Sequence, residues 1–169
     1  AERYFLDNSC DIDSYQTSLN DNQLKSIINR YHIIGISNKT HLNSNILQYA
    51  NNLKIIACFC FKTDNIDLDC CTQNGICVFN SSYQKYNLNH TAIINDQSII
   101  PKVNEDSKNI AINICQKIDD YLNRGITLGS INFPNIVVEN NNNYKIFNLH
   151  HNKYSTLSKI SNIICKHKY

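Results

Sequence analysis

The sequence predicts an α/β fold built on a parallel sheet. Three apolar runs of β type, His32–Ile36, Leu53–Phe61 and Ile76–Asn80, recur along the first half of the chain. Helical patterning follows the first run, and the second leads through a turn into a short helix that ends near Gly75. Strand–helix–strand units of this kind set their strands parallel at the centre of a sheet. Repeated in succession, they need helices on both faces, which makes the sheet one of flavodoxin type.

The elements follow in chain order. Ala1–Leu6 reads as the tail of a helix and Ile12–Gln16 as a short edge strand. Asn20 or Asp21 caps a helix running through Arg30, with Leu24, Ile27 and Ile28 on its buried face. After the strand ending at Ile36, a second helix over Asn43–Asn51 turns Ile46, Leu47 and Ala50 inward. The pattern breaks after Asn80, and residues 81–104 show no clear period. A long helix returns over Glu105–Asn123, where Ile110, Ala111, Ile114, Cys115, Ile118 and Leu122 recur at three- and four-residue spacing. Arg124-Gly125 stops it with a basic last turn and a glycine beyond. Ile126–Val138 reads as an extended linker, Tyr144–Leu149 as a strand and Ser155–Cys165 as a helix.

Composition narrows the function. The chain has 169 residues, enough for one domain or one plus a fragment, and a net charge of +2. Its Lys and Arg residues are scattered, so a nucleic-acid partner finds no electrostatic footprint. No signal peptide or membrane-length apolar run is visible, and a membrane partner is not expected. Of the eight cysteines, five fall between Cys58 and Cys77, yet none forms a C-x-x-C pair. Cys58, Cys60 and Cys77 fall within the expected strands as small buried hydrophobes, so no metal site is expected. Reduced thiols fit a cytoplasmic protein.

Several blocks carry a resemblance. Thr40-His41-Leu42, Cys58-Phe59-Cys60, Asn65-Ile66-Asp67-Leu68-Asp69 and Gly75-Ile76-Cys77-Val78-Phe79-Asn80 stand in order along the first half. Lys108-Asn109-Ile110 then opens the helix leading to Gly125-Ile126-Thr127-Leu128-Gly129-Ser130-Ile131-Asn132-Phe133-Pro134, and Ile146-Phe147-Asn148-Leu149-His150-His151-Asn152 follows. Together they resemble the bacterial-type phosphoglycerate dehydrogenases of the D-isomer-specific 2-hydroxyacid dehydrogenase family. The resemblance implies a substrate-binding domain over residues 1–125, a linker over 126–143, and a partial ACT-like strand–helix segment over 144–169. In that family an NAD-binding domain is inserted into the substrate domain. Here only residues 81–104 join the two outer portions.

The resemblance also assigns chemistry. The family reaction is the NAD-dependent oxidation of 3-phospho-D-glycerate that leads to serine. NAD needs a glycine-rich turn at a helix N-terminus, and the four glycines here, Gly35, Gly75, Gly125 and Gly129, form no such motif. The expectation is no cofactor for this chain and no catalytic residue. The family's Pro-His base aligns with Pro101-Lys102, and an exposed lysine is protonated near neutral pH. His90, the nearest imidazole, reads as a surface residue. Where the family grips phosphate with arginines stand Ser37, Asn38 and Lys39. Lys39, with Thr63, Asp64 and Asn65 of the loop Phe61–Asn65, is the candidate binder of a 3-phosphoglycerate-like anion, although Lys62 replaces a family glycine. His150 and Asn152 match the family's serine-binding His-x-Asn and form the candidate L-serine site. A homo-oligomer, or assembly with a full-length dehydrogenase, completes the expected partners.

Overall fold

The structure is a computed structural model that describes residues 10–81, 106–137, 150 and 154–166, without the side chains of 106–108. It divides into two compact units, Ala1–Glu139 and Asn140–Tyr169. In the first, β1 (Ile33–Ile36), β2 (Ile55–Cys58) and β3 (Cys77–Asn80) form a parallel sheet in the order β1-β2-β3. The register places Gly35, Ala57 and Phe79 in one row across it. Each strand falls inside the apolar run that predicted it.

Three short helices connect or precede the strands: α1 (Asp21–Ile27), α2 (Ser44–Leu47) and α3 (Leu68–Gln73). Helices this short are not stable alone, so caps and packing must hold them. Asn20 and Gln23 of α1 bond each other's backbone N–H reciprocally at 3.0 Å. The Asn43 side chain accepts from the Ile46 N–H at 3.2 Å, and that of Asp67 from the Cys70 N–H at 2.9 Å. Gly75 ends α3 with φ +70°, and a Cβ there would meet nothing within 4 Å, so the backbone conformation alone calls for glycine.

Alternation along the strands sends residues to two cores. Ile36, Ile56, Cys58 and Val78 join Leu24, Ile28, Leu42, Ile46, Leu47 and Cys71 beneath α1–α3. Ile55, Ala57, Cys77 and Phe79 meet Ile114 and Ile118 of α4 (Asp106–Arg124) on the opposite face. Both faces of the parallel sheet are thus covered, as such sheets require.

The structure departs from expectation in five places. Ile12–Gln16 forms no strand; its polar side chains bond Tyr31 instead, through Asp13 at 2.6 Å and Tyr15 at 3.1 Å. The first helix tightens into a 3-10 turn at Ile28–Arg30, where the Asn29 carbonyl accepts from the Asn52 side chain at 2.8 Å. The second helix shortens to Ser44–Leu47 and continues as tight turns that still bury Ala50. β2 ends at Cys58, so Cys60 lies in the bend beyond the strand and is only half-buried.

The stretch read as a linker is, over residues 126–137, built onto the edge of β3. Ser130 bridges Phe79 in antiparallel fashion, and the Ile131 N–H donates to the Val78 carbonyl at 2.9 Å. Asn132 completes the seam, accepting from the Val78 N–H at 2.9 Å and donating to the Ile76 carbonyl at 2.8 Å. An open strand edge is covered this way without a further strand. In the second unit, Ser155 at φ 66° precedes α5 (Thr156–Lys166), which buries none of its side chains. The expected elements at Ala1–Leu6 and Tyr144–Leu149, and the stretch 82–104, lie outside the described residues.

Candidate functional site

The carboxyl ends of the three strands gather the candidate site, the usual place for ligands in an open α/β sheet. Beyond β1 runs the loop Ser37–Thr40, beyond β2 the loop Phe59–Asp67, and beyond β3 the buried Ser81. The loops are tied together at their roots. The Phe59 N–H donates to the Ile36 carbonyl at 2.8 Å, and the Asn80 side chain donates to the Phe61 carbonyl at 2.8 Å.

Asn65 is the main tie between the first two loops. Its buried amide donates to the Ser37 carbonyl at 3.2 Å and to the Thr40 carbonyl at 2.6 Å. Its own carbonyl accepts from the Leu42 N–H at 2.8 Å. The residue therefore positions both loops, and its amide hydrogens face protein carbonyls. Thr63 is half-buried and its carbonyl accepts from the Ile66 N–H at 2.9 Å, while Lys39 and Asp64 are exposed. The N-terminus of α3 is occupied by the Asp67 carboxylate, so an incoming anion there meets a negative charge. His150 is exposed, in the second unit. Asn152, His90 and Pro101-Lys102 lie outside the described residues.

One cation at this edge escaped the sequence reading. Lys117 of α4 extends along the sheet and donates to the Asn80 carbonyl at 3.1 Å. Its stem passes Gly129, where a Cβ would stand 2.9 Å from Lys117 Cε, so the glycine (φ +80°) leaves space as well as adopting a left-handed backbone. Burial lowers the Lys117 pKa from 10.5 to about 8. The available signal was a lysine three residues after Ile114, on the apolar stripe of α4.

The depressed pKa predicts a pH effect. Between about pH 8 and 10.5 the unfolded chain holds a proton on Lys117 that the native chain has released, so this group's contribution rises with pH across that window. We expect the stability of the wild type relative to Lys117→Met to increase from about pH 8 to about 10. Urea denaturation of both proteins across the range measures it, and a constant difference refutes it.

The thiols act in the opposite sense. Burial pushes Cys58, Cys71 and Cys77 up to about 12, with the Cys60 thiol adding to the shift at Cys58. Their stabilising contribution is complete below about pH 9 and is lost as the pH climbs toward 12. Among the described residues no three His, Cys, Asp or Glu side chains gather to hold a metal ion, and no helix is long and apolar enough to cross a membrane.

Among the described residues, no glycine stands where a dinucleotide turn would place it. Gly35 lies within β1 under the Phe59 ring, Gly75 closes α3, and Gly125 and Gly129 follow α4. None opens a helix after a strand, where a pyrophosphate would be held.

Comparison with known proteins agrees with the resemblance read from the motifs. The chain is 44% identical over 79 residues to D-3-phosphoglycerate dehydrogenase 1 of Saccharomyces cerevisiae, covering 47% of this chain and 17% of that protein. It is 39% identical over 72 residues to the D-3-phosphoglycerate dehydrogenase of Escherichia coli, covering 43% and 18%. The chain thus matches less than a fifth of the length of these relatives. Among solved structures, the PH0520 protein of Pyrococcus horikoshii OT3 aligns with a TM-score of 0.43 and 29% identity, over 47% of this chain and 24% of that one. The family model for the D-isomer specific 2-hydroxyacid dehydrogenase catalytic domain matches residues 1–132. With that match spanning most of its 169 residues, the chain belongs to the D-isomer specific 2-hydroxyacid dehydrogenase family.

Proposed function

We propose that this chain is the substrate-binding part of a D-3-phosphoglycerate dehydrogenase-type protein and by itself carries out no dehydrogenation. One observation carries the reading. The family match continues from residue 1 to 132, while only residues 81–105 lie between β3 and α4. A dinucleotide-binding domain takes roughly 100 residues or more. The placement of the four glycines supports the same reading. The ligand class is a small phosphate- or carboxylate-bearing anion, met by Lys39 and Lys117 at the carboxyl edge of the sheet.

The experiment is direct. Purified protein mixed with NAD and 3-phosphoglycerate is expected to form no NADH above buffer, and NAD is expected to leave the melting temperature unmoved. Measurable turnover overturns the proposal. The preformed loop pair held by Asn65 favours a second reading, a small-ligand or regulatory module that keeps anion binding at this edge or L-serine binding at His150 and Asn152. Titration calorimetry with 3-phosphoglycerate and, separately, with L-serine distinguishes the two, because silence with both leaves an inert remnant. Assembly with a full-length dehydrogenase is tested by co-purification from a co-expressing cell.

A further inference from the structure

The bend after β2 brings two thiols together. Cys58 closes the strand and is fully buried, and Cys60, two residues on, is half-buried. Residues two apart on a strand face the same side. The chain bends directly after Cys58, and Cys60 lies in that bend. Their Sγ atoms stand 3.0 Å apart. Both also approach the Lys62 carbonyl oxygen, Cys58 Sγ at 3.6 Å and Cys60 Sγ at 3.1 Å. A disulfide bond is about 2.05 Å long, so the sulfurs need about 1 Å of travel to bond. The travel falls on a loop bend rather than on the sheet. Other thiols nearby have different neighbours: Cys77 meets the Ser130 hydroxyl and Cys70 the Asn74 amide.

We propose that Cys58 and Cys60 form a modification site, a dithiol that hydrogen peroxide converts into an intramolecular disulfide. Cys60 reacts first because it reaches solvent. Its thiolate attacks one peroxide oxygen, the O–O bond breaks, and sulfenic acid forms at Cys60 as the released hydroxide takes up a proton to become water. The Cys58 sulfur then attacks the Cys60 sulfur. The S–O bond breaks, and the departing hydroxide takes the Cys58 proton as a second water. Two thiols lose two electrons and two protons, and one peroxide becomes two waters. Burial keeps Cys58 a thiol until that second step. The bond anchors the root of the loop that carries Thr63, Asp64 and Asn65. The site therefore links redox state to the geometry of the candidate edge, and it stands independently of the proposed function.

The chain supplies its own assay. Lys54 and Lys62 flank Cys58 and Cys60, and no other cysteine lies between them, so trypsin releases both thiols on one peptide, Ile55–Lys62. After peroxide treatment of the native protein, this peptide is expected to lose the mass of two hydrogens, and dithiothreitol is expected to restore it. Cys60→Ser is expected to abolish the change. Cys58→Ala, whose fold is checked by its melting curve, is expected to leave Cys60 accumulating added oxygens. The wild-type result does not depend on how either variant folds. Oxygen adducts on Cys60 beside an alkylatable Cys58 in the wild type overturn the proposal. So does a disulfide mapped from either thiol to a cysteine on another peptide.

Discussion

Asn132→Ala is expected to lower the folding stability of the first unit by roughly 2–4 kcal/mol, although the residue lies outside every helix and strand. Its amide oxygen accepts from the Val78 N–H at 2.9 Å and the Ser130 hydroxyl at 3.2 Å. Its amide nitrogen donates to the Ile76 carbonyl at 2.8 Å and the Thr72 hydroxyl at 3.1 Å. Ile76 and Val78 are fully buried. Truncation therefore leaves an N–H and a C=O without partners where water does not reach them, at about 1–3 kcal/mol each. Asn132→Asp is expected to be no better, since it keeps the acceptor but turns a carboxylate oxygen toward the Ile76 carbonyl. Urea denaturation measures both variants. A loss under about 0.5 kcal/mol for Asn132→Ala, the level of an ordinary surface change, would show that the 126–137 segment does not hold the β3 edge.

The contrast between Asn132 and the strands explains what the sequence disclosed. Ile55–Cys58 and Cys77–Asn80 were legible because a fully buried parallel strand must be apolar at nearly every position, a signal contained in the strand itself. The cap at Asn20 was legible for a similar reason, since it bonds an N–H three residues away. Asn132 has three of its four partners 54 to 60 residues earlier in the chain, and nothing around it announces them. Ile12–Gln16 failed differently: its Asp13 carboxylate and Tyr15 hydroxyl bond Tyr31 instead of lining a strand.

The candidate site was legible in location and not in role. Asn65 stands where the motif places it, yet a sequence does not tell an amide offered to a ligand from one spent on two carbonyls. Lys117 shows the converse. An amine on the apolar stripe of a helix either distorts the packing or runs along the surface to a polar group. Here it reaches the carbonyl that ends β3. One cation at the edge of the sheet thus comes from a helix that follows the 82–105 interval, and it stands there only if that helix packs on the sheet.

Phe79→Ala tests that dependence with the largest expected effect, about 3–5 kcal/mol. Phe79 is fully buried on the face toward α4, in a row with Gly35 and Ala57. Its two row neighbours are too small to expand into the vacated space, and the space above Gly35 is already filled by the Phe59 ring. The cavity therefore persists, and its full cost appears as lost stability. The Phe79 ring also meets that of Tyr121 edge-on, with centroids 6.0 Å apart and planes at 67°. This contact joins residues on either side of the 82–105 interval. A double-mutant cycle of Phe79→Ala with Tyr121→Ala is expected to give a coupling of about 0.5–1.5 kcal/mol. A large single-site loss with no coupling would mean that the Tyr121 ring does not meet Phe79 in the folded protein. Measurable coupling places α4 on β3 in the folded protein and keeps the residues on either side of the 82–105 interval in one core.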